Sequence, residues 1–225
     1  MKNFVLGACA AMAASFGAAN AAVLDFTADV LSSAIGDVRT ATVDNVLFTI
    51  TGQPKAVNNS QRYDGGDQAF CDFLACERDG LGMKNDEFTG GEKPRERATI
   101  ESEAIRVERI FLLDLFKSNN PDKGAESVQI RLYTADNLDS AAQTIVFDAT
   151  DVKADNNAGY YALDVGLSNV VKMTFRARTR SGTDDRDSDF ALAGVEFSEM
   201  PVPGAALFFG TAFLAGAAAR RKRAA

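Results

Sequence analysis

The 225-residue chain sets 24 Lys+Arg against 31 Asp+Glu, for a formal net charge of −7, and it contains no histidine. An acidic surface repels phosphate backbones, so nucleic-acid binding is not expected; the missing imidazole removes Ser-His-Asp triads, Cys-His pairs and histidine-based zinc sites. With 46% hydrophobic residues over this length, the chain can bury one domain with its own core.

The first segment reads as an export signal. Lys2 provides a positive start, Phe4 to Phe16 an apolar stretch, and Ala19-Asn20-Ala21 a small-x-small cleavage site. Cleavage is expected between Ala21 and Ala22, which makes residues 1–21 a signal peptide and residues 22–199 the mature domain. Leu6-Gly7-Ala8-Cys9 looks like a lipoprotein cleavage box, but the stretch before it is too short to be a hydrophobic segment. Cys9 therefore leaves with the signal. In an oxidising compartment the remaining pair, Cys71 and Cys76, reads as a disulfide closing a small loop. Such a short ring contributes about 2 kcal/mol and pins a loop, not the fold.

Along the mature domain the apolar period is two, the mark of half-buried strands. Val46, Phe48 and Ile50 alternate with Leu47, Thr49 and Thr51; Val128, Ile130 and Leu132 alternate with Gln129, Arg131 and Tyr133. Val171, Met173, Phe175 and Ala177 alternate with Lys172, Thr174, Arg176 and Arg178, and a one-residue slip there would bury the cations. Less regular strands are expected at 98–102, 105–116, 143–147, 160–165 and 190–197. A phase shift between Val107 and Ile110 predicts a bulge at Glu108 and Arg109, and Gly194 predicts another. Residues 30–35 read as one helical turn. Turn clusters punctuate the strands at 118–122, 155–159 and 181–184. About eight or nine short strands at this spacing imply an all-β fold, an antiparallel β-sandwich of jelly-roll-like form.

Residues 58–95 break this rhythm, and loops of such length are usually functional or internally tied. Asp79, Asn85, Asp86 and Glu87 sit there beside the cysteine pair, and carboxylate and amide oxygens of this kind suit calcium. Asp184, Asp185, Asp187 and Asp189 offer a second acidic set, but Phe190 stands where an EF-hand loop needs glycine. Solvated acidic loop is the plain alternative for both. Tyr63, Tyr133, Tyr160 and Tyr161 could stack on sugar rings or serve simply as strand residues. No phosphate loop, dinucleotide fingerprint or nucleophile motif is present, and no catalytic residue is assigned: the chain reads as a non-enzyme.

Residues 200–225 read MPVPGAALFFGTAFLAGAAARRKRAA. The apolar run Ala205–Ala219 would make a helix of roughly 22 Å against a hydrocarbon core of about 30 Å, a marginal transmembrane helix. Arg220, Arg221, Lys222 and Arg223 follow at once, as expected for a cytoplasmic end. The motif Pro201-Val202-Pro203-Gly204, the apolar run and the basic end together resemble the PEP-CTERM sorting signals of Gram-negative bacteria, in the variant centred on Val-Pro-x-Pro. The stretch Asp79-Gly80-Leu81-Gly82-Met83, with Asn85-Asp86-Glu87 after it, is similar to an arrangement found in exported proteins with such tails. The resemblance implies export, recognition by an exosortase-type membrane peptidase, cleavage near the motif, and release or attachment at the surface. A plain anchor that stays in place is the competing reading. Losing both ends removes Lys2 and the four terminal cations but no acid, and takes the charge from −7 to −12.

The sequence therefore predicts an exported structural or interaction protein of the cell surface or extracellular matrix, associated with biofilm and exopolysaccharide. Its precursor would sit in the inner membrane and touch the bilayer only transiently. No cofactor is required, and calcium is left open. The alternative is a calcium-dependent carbohydrate-binding module.

Overall fold

The computed structural model describes residues 21–31, 37–59, 71, 73–83, 87–90, 95–117, 124–151, 159–178 and 189–200. Among the described residues ten strands run in chain order: β1 (Ala22–Asp25), β2 (Val38–Val43), β3 (Val46–Gln53), β4 (Val57–Asn59), β5 (Leu81–Met83), β6 (Arg97–Leu113), β7 (Ser127–Thr134), β8 (Gln143–Asp148), β9 (Tyr161–Ala177) and β10 (Ala191–Glu199). Every pairing among them is antiparallel. The all-β, antiparallel expectation is thus met. Among the described residues no helix is long and apolar enough to cross a membrane. The sorting motif, the apolar run, the basic end and Ala19 lie outside the described residues.

Two 17-residue strands, β6 and β9, form the spine and pair along most of their length. The other edge of β6 is shared: its first part, Arg97 to Glu101, pairs with β3, and its later part, Ile105 to Leu113, pairs with β10. The sheet therefore branches. On one arm β2 and β3 lie beside β6; on the other β10 carries β1 and β5, and β5 carries β4. Beyond β9 the order continues to β7 and β8.

The sequence divides β6 and β9 into shorter strands, whereas each is continuous. The difference lies in bulges, which change the apolar phase without ending the strand. Against β10, Arg109 faces Glu196 and Val107 faces Phe197, so Glu108 is the extra residue, at the predicted position. On β10, Leu192 faces Leu112 and Gly194 faces Phe111, which confirms the irregularity at Gly194. In β9 the interruption falls near Asn169 (φ 64°) and Gly166 (φ 67°), left-handed conformations that re-aim the strand.

The predicted inward residues Val46, Phe48, Ile50, Val128, Ile130, Leu132, Met173, Phe175 and Ala177 are all buried, while Val171 is half-buried. They join one core with residues of the other arm. Phe48 of β3 meets Phe197 of β10 edge-on, ring centroids 5.0 Å apart. A second, smaller cluster covers the opposite face of β6 and β10: Phe111, Leu113, Ala191 and Ala193 pack against Cys71, Leu74 and Cys76. That is why Ile110 to Leu113 is buried on both sides and reads as a continuous apolar run.

Candidate functional site

The disulfide between Cys71 and Cys76 is formed, with Cα atoms 6.3 Å apart. Its loop is also tied to the end of β1. Asp25 accepts from the Thr27 amide at 2.8 Å and from the Ala75 amide at 2.7 Å, and the Thr27 hydroxyl accepts from the Cys76 amide at 2.8 Å. Phe73 projects outward from this loop and carries the Arg109 guanidinium 4.6 Å above its ring. Arg109 is held by an ion pair with Glu196, its partner beside the bulge, which fixes the guanidinium against the loop.

Beside this loop the antiparallel register of β5, β6 and β10 brings strand ends together. Ala191 faces Leu113, so Asp114, just past the end of β6, and Asp189, just before β10, lie at one end of that strand pair; Asp79, two residues before β5, brings its carboxylate to Asp114. Glu87 joins them because Phe88 is locked to Phe190 by reciprocal backbone bonds of 2.8 and 3.3 Å and a ring contact of 5.2 Å. One carboxylate oxygen each of Asp79, Glu87 and Asp114 lies within 4.8 Å of the others. Oxygens that close can share a single ion at a Ca–O distance of about 2.4 Å. Asp79 is 4% exposed, and Asp114 adopts the left-handed conformation, φ 56°.

Glu126, which precedes β7, belongs to the same acidic end. It accepts from the Phe116 amide at 2.5 Å. Burial foremost, then the charge of Asp189, pushes its carboxyl up to about 9, against the lowering effect of that amide; Asp114 adds to the rise. At neutral pH this group keeps its proton.

Of the metal-ligand residues predicted from sequence, Asp79 and Glu87 are therefore brought together, whereas Asn85 and Asp86 lie outside the described residues. Asp189 alone of the second acidic set is described, and its carboxylate acts on Glu126. Sequence reasoning missed Asp114 and Glu126. The available signal was position: Asp114 immediately follows the apolar run that ends β6, and Glu126 immediately precedes β7. The tyrosines divide as well. Tyr160 stacks on Phe111 at 6.2 Å, and the Tyr161 hydroxyl accepts from the Thr150 and Asp151 amides at 2.9 and 2.8 Å, so both serve the fold. Tyr133 stands on the open polar face of the sheet, and Tyr63 lies outside the described residues.

Comparison with protein-family models, with curated proteins and with solved structures finds no match for this chain.

Proposed function

We propose that this protein is an exported structural or interaction component of the cell surface or extracellular matrix, trimmed at both ends by a signal peptidase and an exosortase-type peptidase. The reading rests on the two terminal segments of the sequence. One structural observation supports it: the described sheet spans Ala22 to Glu199, and its first and last strands are direct partners, with Ala22 opposite Phe197 and Asp25 opposite Gly194. A domain closed by β1 on β10 keeps its pairing when both flanking segments are removed. The two arms of the branched sheet, joined by the Phe48–Phe197 contact, are read as the layers of a sandwich of jelly-roll-like form.

The test is fractionation of host cells that produce either the full chain or a chain ending at Glu199. The proposal expects the full chain to pass through the membrane fraction to the surface or medium, and the shortened chain to bypass the membrane step. Identical distribution of the two chains contradicts it.

The second reading, a calcium-dependent carbohydrate-binding module, would seat its ion among Asp79, Glu87 and Asp114. Retention on exopolysaccharide that is lost with chelator and restored by calcium would favour it; retention unaffected by chelator would remove the ion from the account.

A further inference from the structure

The outward face of the β3–β6–β9–β7 arm is a polar groove of about 360 Å³, at the lower end of the roughly 300–1,000 Å³ of small-molecule sites. Strand register orders its side chains into rows. The first runs Gln53, Arg97, Arg176, Gln129; the second runs Thr51, Thr99, Thr174, Arg131. Four strands make each row roughly 14 Å across. A third row, Glu101, Lys172, Tyr133, neutralises itself: Lys172 Nζ lies 3.7 Å from Glu101 and 5.5 Å above the Tyr133 ring.

The first two rows are not neutralised. Arg97, Arg131 and Arg176 take part in none of the ion pairs among the described residues. Arg97 bonds only to the carboxamide of Gln53 in this row. Arg97 and Arg176 stand directly opposite each other across the strand pair, a like-charge arrangement that destabilises a sheet. The Arg176 guanidinium is pushed below its usual range by partial burial, and next by Arg131, Arg95, Arg178 and Arg97. On a molecule whose acids outnumber its cations, this local excess of positive charge calls for an anion.

The groove also offers acceptors. The Oε1 of Gln129 is buried without a hydrogen-bond partner, and the threonine hydroxyls can both give and accept. A phosphodiester has no donor to satisfy Gln129, while a sugar hydroxyl does. A ligand with carboxylates for the guanidinium groups and hydroxyls for the amide and threonine row satisfies the whole lining.

We propose that this groove binds a short uronate-bearing segment of an anionic glycan, with carboxylates on Arg97, Arg131 and Arg176 and hydroxyls on Gln129 and the threonine row. The choice of a glycan over other carboxylates rests on the surface and matrix reading above; the charge chemistry does not.

The experiment is calorimetric titration of the purified full chain with tetragalacturonate and tetramannuronate, with neutral galactotetraose and a single-stranded oligonucleotide as comparators. At least one uronate binds, and its affinity falls as salt is raised. R97Q and R176Q each weaken it by about tenfold or more, the loss expected for a charge-assisted hydrogen bond. Their urea midpoints equal or exceed that of the unaltered chain, because the like-charge pair is relieved. Equal binding of galactotetraose, tighter binding of the oligonucleotide, full affinity in both variants, or binding of neither uronate overturns the proposal. The titration is independent of export: a chain sorted as proposed that ignores uronates sinks the groove alone, and a chain that binds uronates yet stays unprocessed sinks the sorting reading alone.

Discussion

Replacing Glu126 with glutamine tests whether the acidic end of the sheet is a strained cluster of carboxylates. In the folded chain burial and the neighbouring Asp189 raise this carboxyl from 4.5 to about 9. The unfolded chain releases its proton near 4.5 while the folded chain holds it. The contribution of the group is therefore complete below about pH 4.5 and is lost as pH rises toward 9. From pH 4.5 to 7 the linkage reaches about 3 kcal/mol at about 1.4 kcal/mol per pH step. Partial solvent exposure of the side chain reduces this to about 1–2 kcal/mol. Glutamine removes the titration and can still accept from the Phe116 amide. Urea denaturation of both chains in chelator at pH 5, 7 and 8.5 reads the difference. E126Q should match the unaltered chain at pH 5, exceed it by about 1–2 kcal/mol at pH 7, and exceed it further at pH 8.5. A variant that is less stable at pH 7, or a difference that does not change with pH, refutes the reasoning. The same series in millimolar calcium carries a second prediction: an ion seated among these carboxylates flattens the pH dependence.

Gly80 sits at φ 122°, and a Cβ there would lie 2.6 Å from the Leu192 carbonyl oxygen. Gly80→Ala should lower stability by about 1–3 kcal/mol through backbone strain, measured by thermal unfolding; an unchanged midpoint would show that β5 does not hold its place against β10. Replacing both Cys71 and Cys76 with serine should cost about 2 kcal/mol and speed proteolysis within the loop while the sheet persists. Global unfolding of that variant would contradict the assignment of the disulfide to a local clamp.

What the sequence made legible depends on how each strand is buried. β3, β7 and the second half of β9 have one face on the core and one in water, so their alternation shows plainly. β2 is an edge strand paired only with β3, and its burial hardly alternates, so no period marks it. Its hairpin did leave a signal in Asp44-Asn45, both at positive φ (47° and 66°), the two-residue turn that matches strand twist. β1, β4 and β5 have four residues or fewer and are too short for a period. The unity of β6 and β9 was hidden because a bulge and a change of strand look alike in a hydrophobic pattern. At the acidic end, Asp79 and Glu87 are near in sequence and were legible as a pair. Asp114 and Asp189 come together only through the pairing of β6 with β10, a long-range register that no local pattern encodes, and Glu126 reaches them across the turn between β6 and β7, where its amide donates to the Phe116 carbonyl. The cationic rows share this property: β6, β7 and β9 each contribute a single arginine to the first two rows, and the register assembles them.

The central claim is that both ends are removed on the way out of the cell, and the intact mass of the protein from host membranes and medium tests it most directly. The account predicts a species that starts at Ala22 and ends near Pro203, found at the surface or in the medium. A species that still carries Ala205 to Arg223 and occurs only in membranes would contradict it, and would make this chain a tail-anchored envelope protein.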